Sequence, residues 1–245
     1  MSARQRLDAL LVTRGFYQTR ARARDAVLRG AVTVNGLAAA KPSQMTAEDA
    51  AITIEDPAKA YVSRAALKLK HALAHFRIAA TGRRALDIGA STGGFTQVLL
   101  EEGAVHVTAI EVGHGQMAFE DPRVLLVEGL NARDLTRAHV PEAFDLIVCD
   151  VSFISLRLAL PPALALAEPG ADLIALIKPQ FEVGRAALGK GGVVSDETEW
   201  ARVCSEIADF LEGQGWSVHG ITPSPIAGGD GNREFLIAAR RGVAA

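Results

Sequence analysis

Four charged residues of this 245-residue chain stand where a charge has no evident structural purpose. Lys68 lies in a helical stretch, Asp150 follows the apolar run FDLIVC, Lys178 follows IALI, and Glu234 opens a last apolar run. Two amines and two carboxylates can fix one another's positions, and an amine so held can accept a proton when burial and a neighbouring ammonium make it less basic. Lys178 is the candidate base, because Pro179 turns the chain directly after it; Lys68 would supply the second positive charge, and Asp150 and Glu234 would orient both amines. The chemistry open to such an array is removal of a proton from a weakly acidic hydroxyl as its oxygen attacks an electrophile. The plainer alternative is a pair of ordinary salt bridges.

The electrophile is suggested by RRALDIGASTGGFTQVL, which reads as a strand ending near Asp87, a turn of small residues, and a helix starting near Gly93. Gly89, Gly93 and Gly94 let backbone approach a ligand closely, and a helix start presents free N–H groups. The pattern D-x-G-x-x-x-G-G lacks the G-x-G-x-x-G that cradles a pyrophosphate. A carboxylate at Asp87 would repel phosphate and suits a ligand bearing an ammonium and a sulfonium, which is S-adenosylmethionine. Ser91 and Phe95 in the same turn, and Asp150 across the sheet, join the candidate cofactor residues. Glu111 ends the next strand, where a carboxylate can accept from both ribose hydroxyls. Asn131 and Asp134 could reach the adenine, or could equally serve as turn and capping residues. No metal is expected.

These residues need a scaffold, and the chain from residue 84 supplies one. Strand-like runs occur at Arg84 to Gly89, Val105 to Val112, Val124 to Val127, Phe144 to Asp150, Asp172 to Lys178, Trp216 to Ile221 and Glu234 to Ala239, with helical stretches at 93–102, 156–168 and 197–213. Alternation of strand and helix predicts an α/β fold, a doubly wound and largely parallel seven-stranded sheet of Rossmann-like type. No helix fits between the last two runs, so the final strand is expected to be antiparallel.

The front of the chain differs in charge. Residues 1–41 hold eight Lys and Arg against two acids, although the whole chain carries a net charge of −2. Leu7, Leu10 and Leu11 before Gly15 predict a first helix; Thr19 is placed to cap a second, running from Arg20 to Arg29; VTVNG and ITIE read as short strands. A small basic α+β domain over residues 1–56, a linker over 57–63 and a catalytic domain over 64–245 follow. Arg4, Arg6, Arg20, Arg24 and Lys41, with Arg64 beyond the linker, are the candidate contacts to RNA. Solvated arginines on helix faces are the competing reading of the same charges.

Composition excludes several classes. The longest apolar candidate for a membrane span, Leu156 to Ile177, is interrupted by Arg157, Glu168, Asp172 and Pro161-Pro162, so no span of roughly 20 residues is expected. The first residues lack a secretory h-region, and Cys149 and Cys204 are too few for a disulfide framework. A reducing, cytoplasmic setting is expected.

LDIGASTGGFT, VGHGQ, CDVSFISL, IKPQFEVG, GKGGVV and GNREF occur in the order found in the TlyA family, which the chain resembles over essentially its whole length. RLDALLVTRG and TRARARDAVLRGAVTVNG are similar to that family's S-four-type RNA-binding module, and CDVSFIS and KPQFEVG are the specific signals of its FtsJ-like ribose methyltransferase domain. The resemblance implies S-adenosylmethionine-dependent 2′-O-methylation of cytidine in ribosomal RNA, with ribosomal RNA or ribosomal subunits as partners. It places that family's K-D-K-E tetrad on Lys68, Asp150, Lys178 and Glu234. The family also carries the label "hemolysin", which makes a membrane-active protein one rival and a non-enzymatic RNA-binding assembly protein another. His114 stands where the family often has tyrosine, and Lys59-Ala60-Tyr61 where it often has Arg-Ala-Trp.

Overall fold

A computed structural model describes residues 3–184 and 188–243. The chain divides into two compact units, Met1–Ala60 and Tyr61–Ala245.

In the first unit, β1 (Arg4–Arg6) leads directly into α1 (Leu7–Thr13), and α2 (Arg20–Leu28) follows a turn at Gly15. The Thr19 side chain accepts from the Arg22 N–H and so caps α2. β2 (Val32–Val34) and β3 (Leu37–Ala38) form a hairpin across Asn35-Gly36, both at positive φ (52° and 79°) as a two-residue turn of this hand requires. β4 (Met45–Ala47) pairs with β1, and β5 (Ile52–Ile54) with β2, both antiparallel. Leu7, Leu11, Ala23, Ala26, Val27 and Val32 close a small core between the helices and the sheet. β1, β3 and β4 were not expected from the sequence, since RQR, LA and MTA lack the unbroken run of β-branched residues that marks VTV and ITI.

Arg4, Arg6, Arg20, Arg24 and Lys41 are all exposed on this unit. Two of them are not independent. Arg6 and Arg20 both reach the buried carboxylate of Asp8, at 2.7 and 3.2 Å, and the Arg6 guanidinium, the main cause, holds the Asp8 carboxyl below its ordinary value. Arg29 is committed to Asp56 at 3.0 Å.

The second unit opens with α3 (Ala66–Phe76) and builds a seven-stranded sheet from β6 (Arg84–Ile88), β7 (His106–Glu111), β8 (Val124–Glu128), β9 (Leu146–Cys149), β10 (Asp172–Ile177), β11 (Trp216–Pro223) and β12 (Phe235–Arg241). Their order is β11-β12-β10-β9-β6-β7-β8, and β12 runs antiparallel to both of its neighbours, as the missing last helix requires. LIVC of β9 and DLIALI of β10 are buried throughout, the pattern of parallel strands covered on both faces. Alternate residues serve alternate layers: Leu86, Ile147, Cys149, Leu173 and Ala175 join one core, and Ala85, Leu146, Val148, Ile174 and Leu176 the other. α3 and α4 (Gly94–Glu101) pack in the second layer; α8 (Glu197–Gly213) packs in the first, with α5 (Leu156–Ala159) and α6 (Pro161–Leu166). The single helix expected over 156–168 is two, because Pro161 has no N–H to continue the first and suits the opening turn of the second. A further short helix, α7 (Pro179–Glu182), follows β10. Strand order reverses about β6, with β7 on one side and β9 on the other, so the carboxyl ends of β6, β9 and β10 open onto a crevice of the kind that receives ligands.

Candidate active site

The loop after β6 is shaped by what presses on it. Gly89 sits at φ +81°, and a Cβ there would lie 2.8 Å from the Asp150 carbonyl oxygen, so only glycine lets this loop touch the chain leaving β9. A Cβ on Gly94 would meet Ser63 at 2.8 Å, and Gly93, at φ +92°, is closed in by Met117 and Phe119. Glu111, at the end of β7 and buried, holds the loop from the other side: its two carboxylate oxygens accept from the Ser91 N–H (2.9 Å) and the Gly113 N–H (2.8 Å).

A cleft of about 530 Å³ opens between these loops, with Gly89, Ser91, Glu111, Asn131, Asp150 and Phe153 among its walls. A smaller recess of about 150 Å³ continues from it past Gly94 and Phe95 to Lys178. Of the candidate cofactor residues, three lie outside both linings. Gly93 shapes the turn rather than facing the opening. Asp134 is 63% exposed beside Arg133, and Asn131, which does line the cleft, also caps the turn that contains Asp134. Asp87 is fully buried beneath the loop, where the Thr96 hydroxyl donates to Oδ2 (2.6 Å) and Oδ1 has no hydrogen-bond partner among the described residues. Burial pushes the Asp87 carboxyl up to about 7; the Thr96 hydrogen bond opposes this, and the nearby Asp150 and Glu111 carboxylates add to it. Asp150 and Glu111 beside Asp87 gather acidic groups around one opening, a setting that fits a cation.

The four expected catalytic residues come together although they arrive from four different elements. Lys68 of α3 lies 2.6 Å from Glu234 Oε2 and 3.8 Å from Asp150 Oδ2, while Lys178 lies 2.6 Å from Asp150 Oδ1. Asp150 therefore stands between the two ammonium groups. The Lys178 ammonium donates its well-directed hydrogen bond to the Ser152 hydroxyl at 2.9 Å. Lys68, Lys178 and Glu234 are all buried, and Lys178 is the amine that reaches the recess. Removing one member of such a buried array would leave its partners' charges uncompensated. Arg64 lies in this unit, near Gly229 of the loop before β12, and not on the basic first unit.

Sequence reasoning missed Ser152, Gln116 and Phe153. Gln116 lines the cleft and lies within reach of the Ser91 hydroxyl at 3.4 Å. Phe153 is 90% exposed at φ +65°, a conformation costly for a bulky side chain, and its ring tilts against Phe181 at 5.1 Å. The Glu182 carboxylate, accepting from the Ser155 hydroxyl and the Leu156 N–H, ties this loop to α7. An aromatic in such a position is a ready stacking surface at the rim of the cleft. The signal was the unusual run VSFIS after Asp150, but no periodicity marks an exposed phenylalanine.

A mixed seven-stranded sheet with a glycine turn at its switch point and a cation-suited cleft defines a Rossmann-like methyltransferase. A family model described as FtsJ-like methyltransferase matches residues 61–241, and an S4 domain model matches residues 5–48. The chain is 45% identical over 98% of its length to 91% of the 16S/23S rRNA (cytidine-2′-O)-methyltransferase TlyA of Mycobacterium tuberculosis. A solved structure from Streptococcus thermophilus, provisionally named a hemolysin, aligns at 36% identity with a TM-score of 0.76, covering 99% of this chain and 90% of that one. An S-adenosylmethionine-dependent methyltransferase from Mesorhizobium loti, 15% identical over 69% of this chain and 96% of its own, shares the fold at a TM-score of 0.50. The chain belongs to the TlyA family of FtsJ-like methyltransferases that carry an S4 domain.

Proposed function

We propose that the protein transfers a methyl group from S-adenosylmethionine to the 2′-hydroxyl of a ribosomal RNA nucleotide, a cytidine as in the name of its mycobacterial relative. The observation that carries this reading is the buried Lys68–Glu234 and Asp150–Lys178 array ending at the recess beside the cleft. S-Adenosylmethionine supplies an electrophilic methyl group on a sulfonium centre. Glu111 and Asn131 would hold its adenosyl part, with the Gly89 backbone and Ser91 against its amino-acid end. Lys178, in its neutral amine form after giving up a proton to solvent, takes the proton from the ribose hydroxyl as the oxygen attacks; Asp150 fixes that amine, and Ser152 gives it a neutral hydrogen-bond partner. Lys68 and Glu234 hold Asp150 in place. The first unit anchors the RNA through its exposed cations. Mapping 2′-O-methyl groups on ribosomal RNA from cells with and without this chain, and on subunits treated with purified protein, tests the reading; no methyl group dependent on the protein would overturn it. The name hemolysin suggests membrane activity, but no helix among the described residues is long and apolar enough to cross a membrane, and leakage from liposomes is the direct check.

Two consequences concern the cofactor. Glu111→Gln keeps a side-chain acceptor for one loop N–H but loses the charge, so affinity for S-adenosylmethionine should fall by about 1.5–3 kcal/mol, read by titration calorimetry. Unchanged affinity would remove Glu111 from the site. The second is a proton count. Asp87, held at about 7 by burial and two neighbouring carboxylates, becomes more acidic when a cation arrives. Binding S-adenosylmethionine between about pH 6 and 7 should therefore release protons, seen as a binding enthalpy that varies with buffer ionisation enthalpy. Well above pH 7 Asp87 is already ionised and the release disappears. S-Adenosylhomocysteine, without the sulfonium charge, should release fewer; proton uptake in this range would contradict the account.

A further inference from the structure

A second cavity, of about 460 Å³, opens beside the catalytic array and shares Glu234 with it. Its walls come from α8 and from the loops before α8 and before β12. Trp200 forms one side and is rigid: its indole N–H donates to the Val194 carbonyl (2.9 Å), and its ring tilts against Phe235 at 6.2 Å. The buried Asn232 braces the two loops together, accepting from the Val194 N–H at 3.0 Å and donating to the Gly192 carbonyl at 3.2 Å. Arg233, the residue between Asn232 and Glu234, is exposed and lies with its guanidinium 5.2 Å from the centre of the Trp200 ring. Among the described residues no carboxylate or carbonyl accepts a hydrogen bond from it. Ser195 and Ser224 also face the cavity. The negative charge on its floor, Glu234, is already matched by Lys68 at 2.6 Å.

A guanidinium stacked on an aromatic face keeps its in-plane N–H donors free, and their fork matches a phosphate edge. This one lies over the Trp200 ring, and among the described residues no carboxylate accepts from it. It stands one residue from an active-site carboxylate, on the far side of the array from the loops that would hold the cofactor. With the cofactor on the Gly89 and Glu111 side, as proposed, the Glu234 side is the one left open to a strand whose ribose reaches Lys178.

We infer that this cavity receives the nucleotide adjoining the methylated one, with Arg233 on its phosphodiester and Trp200 as the rigid backing of that arginine. The inference rests on the proposed RNA 2′-O-methylation. Arg233 is a positioning residue for that reaction; its loss should act on RNA engagement and not on proton removal.

The test uses full-length wild type, Arg233→Gln and Arg233→Lys with purified ribosomal subunits over a series of salt concentrations. Arg233→Gln should raise KM for the subunits by about tenfold to a hundredfold, the loss expected for a charge-assisted bond, with kcat and S-adenosylmethionine affinity unchanged. The plot of log affinity against log salt should become shallower by about 0.7, one phosphate contact on a single strand. Arg233→Lys should restore the slope but only part of the affinity, because a point charge replaces the fork. A merely structural arginine would move the melting temperature and leave the slope alone. Methylation by wild type with an unchanged KM and slope in Arg233→Gln overturns this inference alone; no methylation by wild type overturns the functional reading and this inference with it.

Discussion

Replacing Lys178 by alanine should slow methyl transfer by roughly 10²–10⁴-fold while S-adenosylmethionine and RNA still bind, the loss typical of removing a general base. The reason lies in where the amine sits. It reaches the recess, is buried, and is held by the Ser152 hydroxyl and the Asp150 carboxylate, so it can act on a hydroxyl without being a main support of the cofactor cleft. Lys178→Arg should not restore the rate, since a guanidinium stays protonated at any working pH and cannot accept the proton. Single-turnover measurements separate this step from binding and product release. A fully active arginine enzyme would reduce Lys178 to a fixed positive charge and leave the hydroxyl proton to solvent. Loss of Lys178 also leaves Asp150, among the described residues, with Lys68 at 3.8 Å as its remaining cation, so the melting temperature of the alanine variant should be recorded beside its rate.

The second large effect is expected at the other end of the chain. Changing Arg4, Arg24 and Lys41 together to glutamine should weaken binding to ribosomal RNA by about 10²-fold and make its salt dependence shallower by about two units of slope, three phosphate contacts on single-stranded RNA. These residues are chosen because they are exposed and lie outside the Asp8 cluster. Neutralising Arg6 and Arg20 instead would strip a buried carboxylate of its partners and confuse binding with folding. Affinity for S-adenosylmethionine should not change in the triple variant. Wild-type RNA affinity in that variant would show that the basic unit is a solvated surface and not an RNA grip.

How much of this was legible in the sequence depends on the length scale of the interaction. The seven strands and the antiparallel last one could be read, because the strands leave apolar runs, continuous in the buried β9 and β10, and a missing helix leaves no room for a crossover. The two-residue turn at Asn35-Gly36 could be read for the same kind of reason, a local one. The three short strands of the first unit could not, since β1 and β4 depend on partners 39 to 43 residues apart and β3 on a pair of residues alone. The four charged residues could be singled out as isolated charges and, through family resemblance, as a set. Their distances could not be read, nor could the hydrogen bond from Lys178 to Ser152. Asp87 shows the limit most clearly: its position at a strand end suggested a side chain facing the ligand, and the structure turns it inward onto Thr96. Asp134, given two equal readings from the sequence, lies exposed outside the cleft lining, because a turn after β8 can point its last residue to solvent as easily as into a cleft.

Asp8 has a consequence for how the protein meets its partner. A long arginine side chain that is free in solution loses about 0.5–1.5 kcal/mol of rotamer freedom when a complex immobilises it. Arg6 and Arg20 are already drawn to one buried carboxylate in the first turn of α1, so part of that ordering is completed when the domain folds. The same carboxylate removes one unit of positive charge from the face that carries them. If this face grips RNA as proposed, it should be less adhesive toward arbitrary polyanions and favour phosphates placed to meet both guanidinium groups. On that reading a single acidic residue under the basic surface trades attraction for shape.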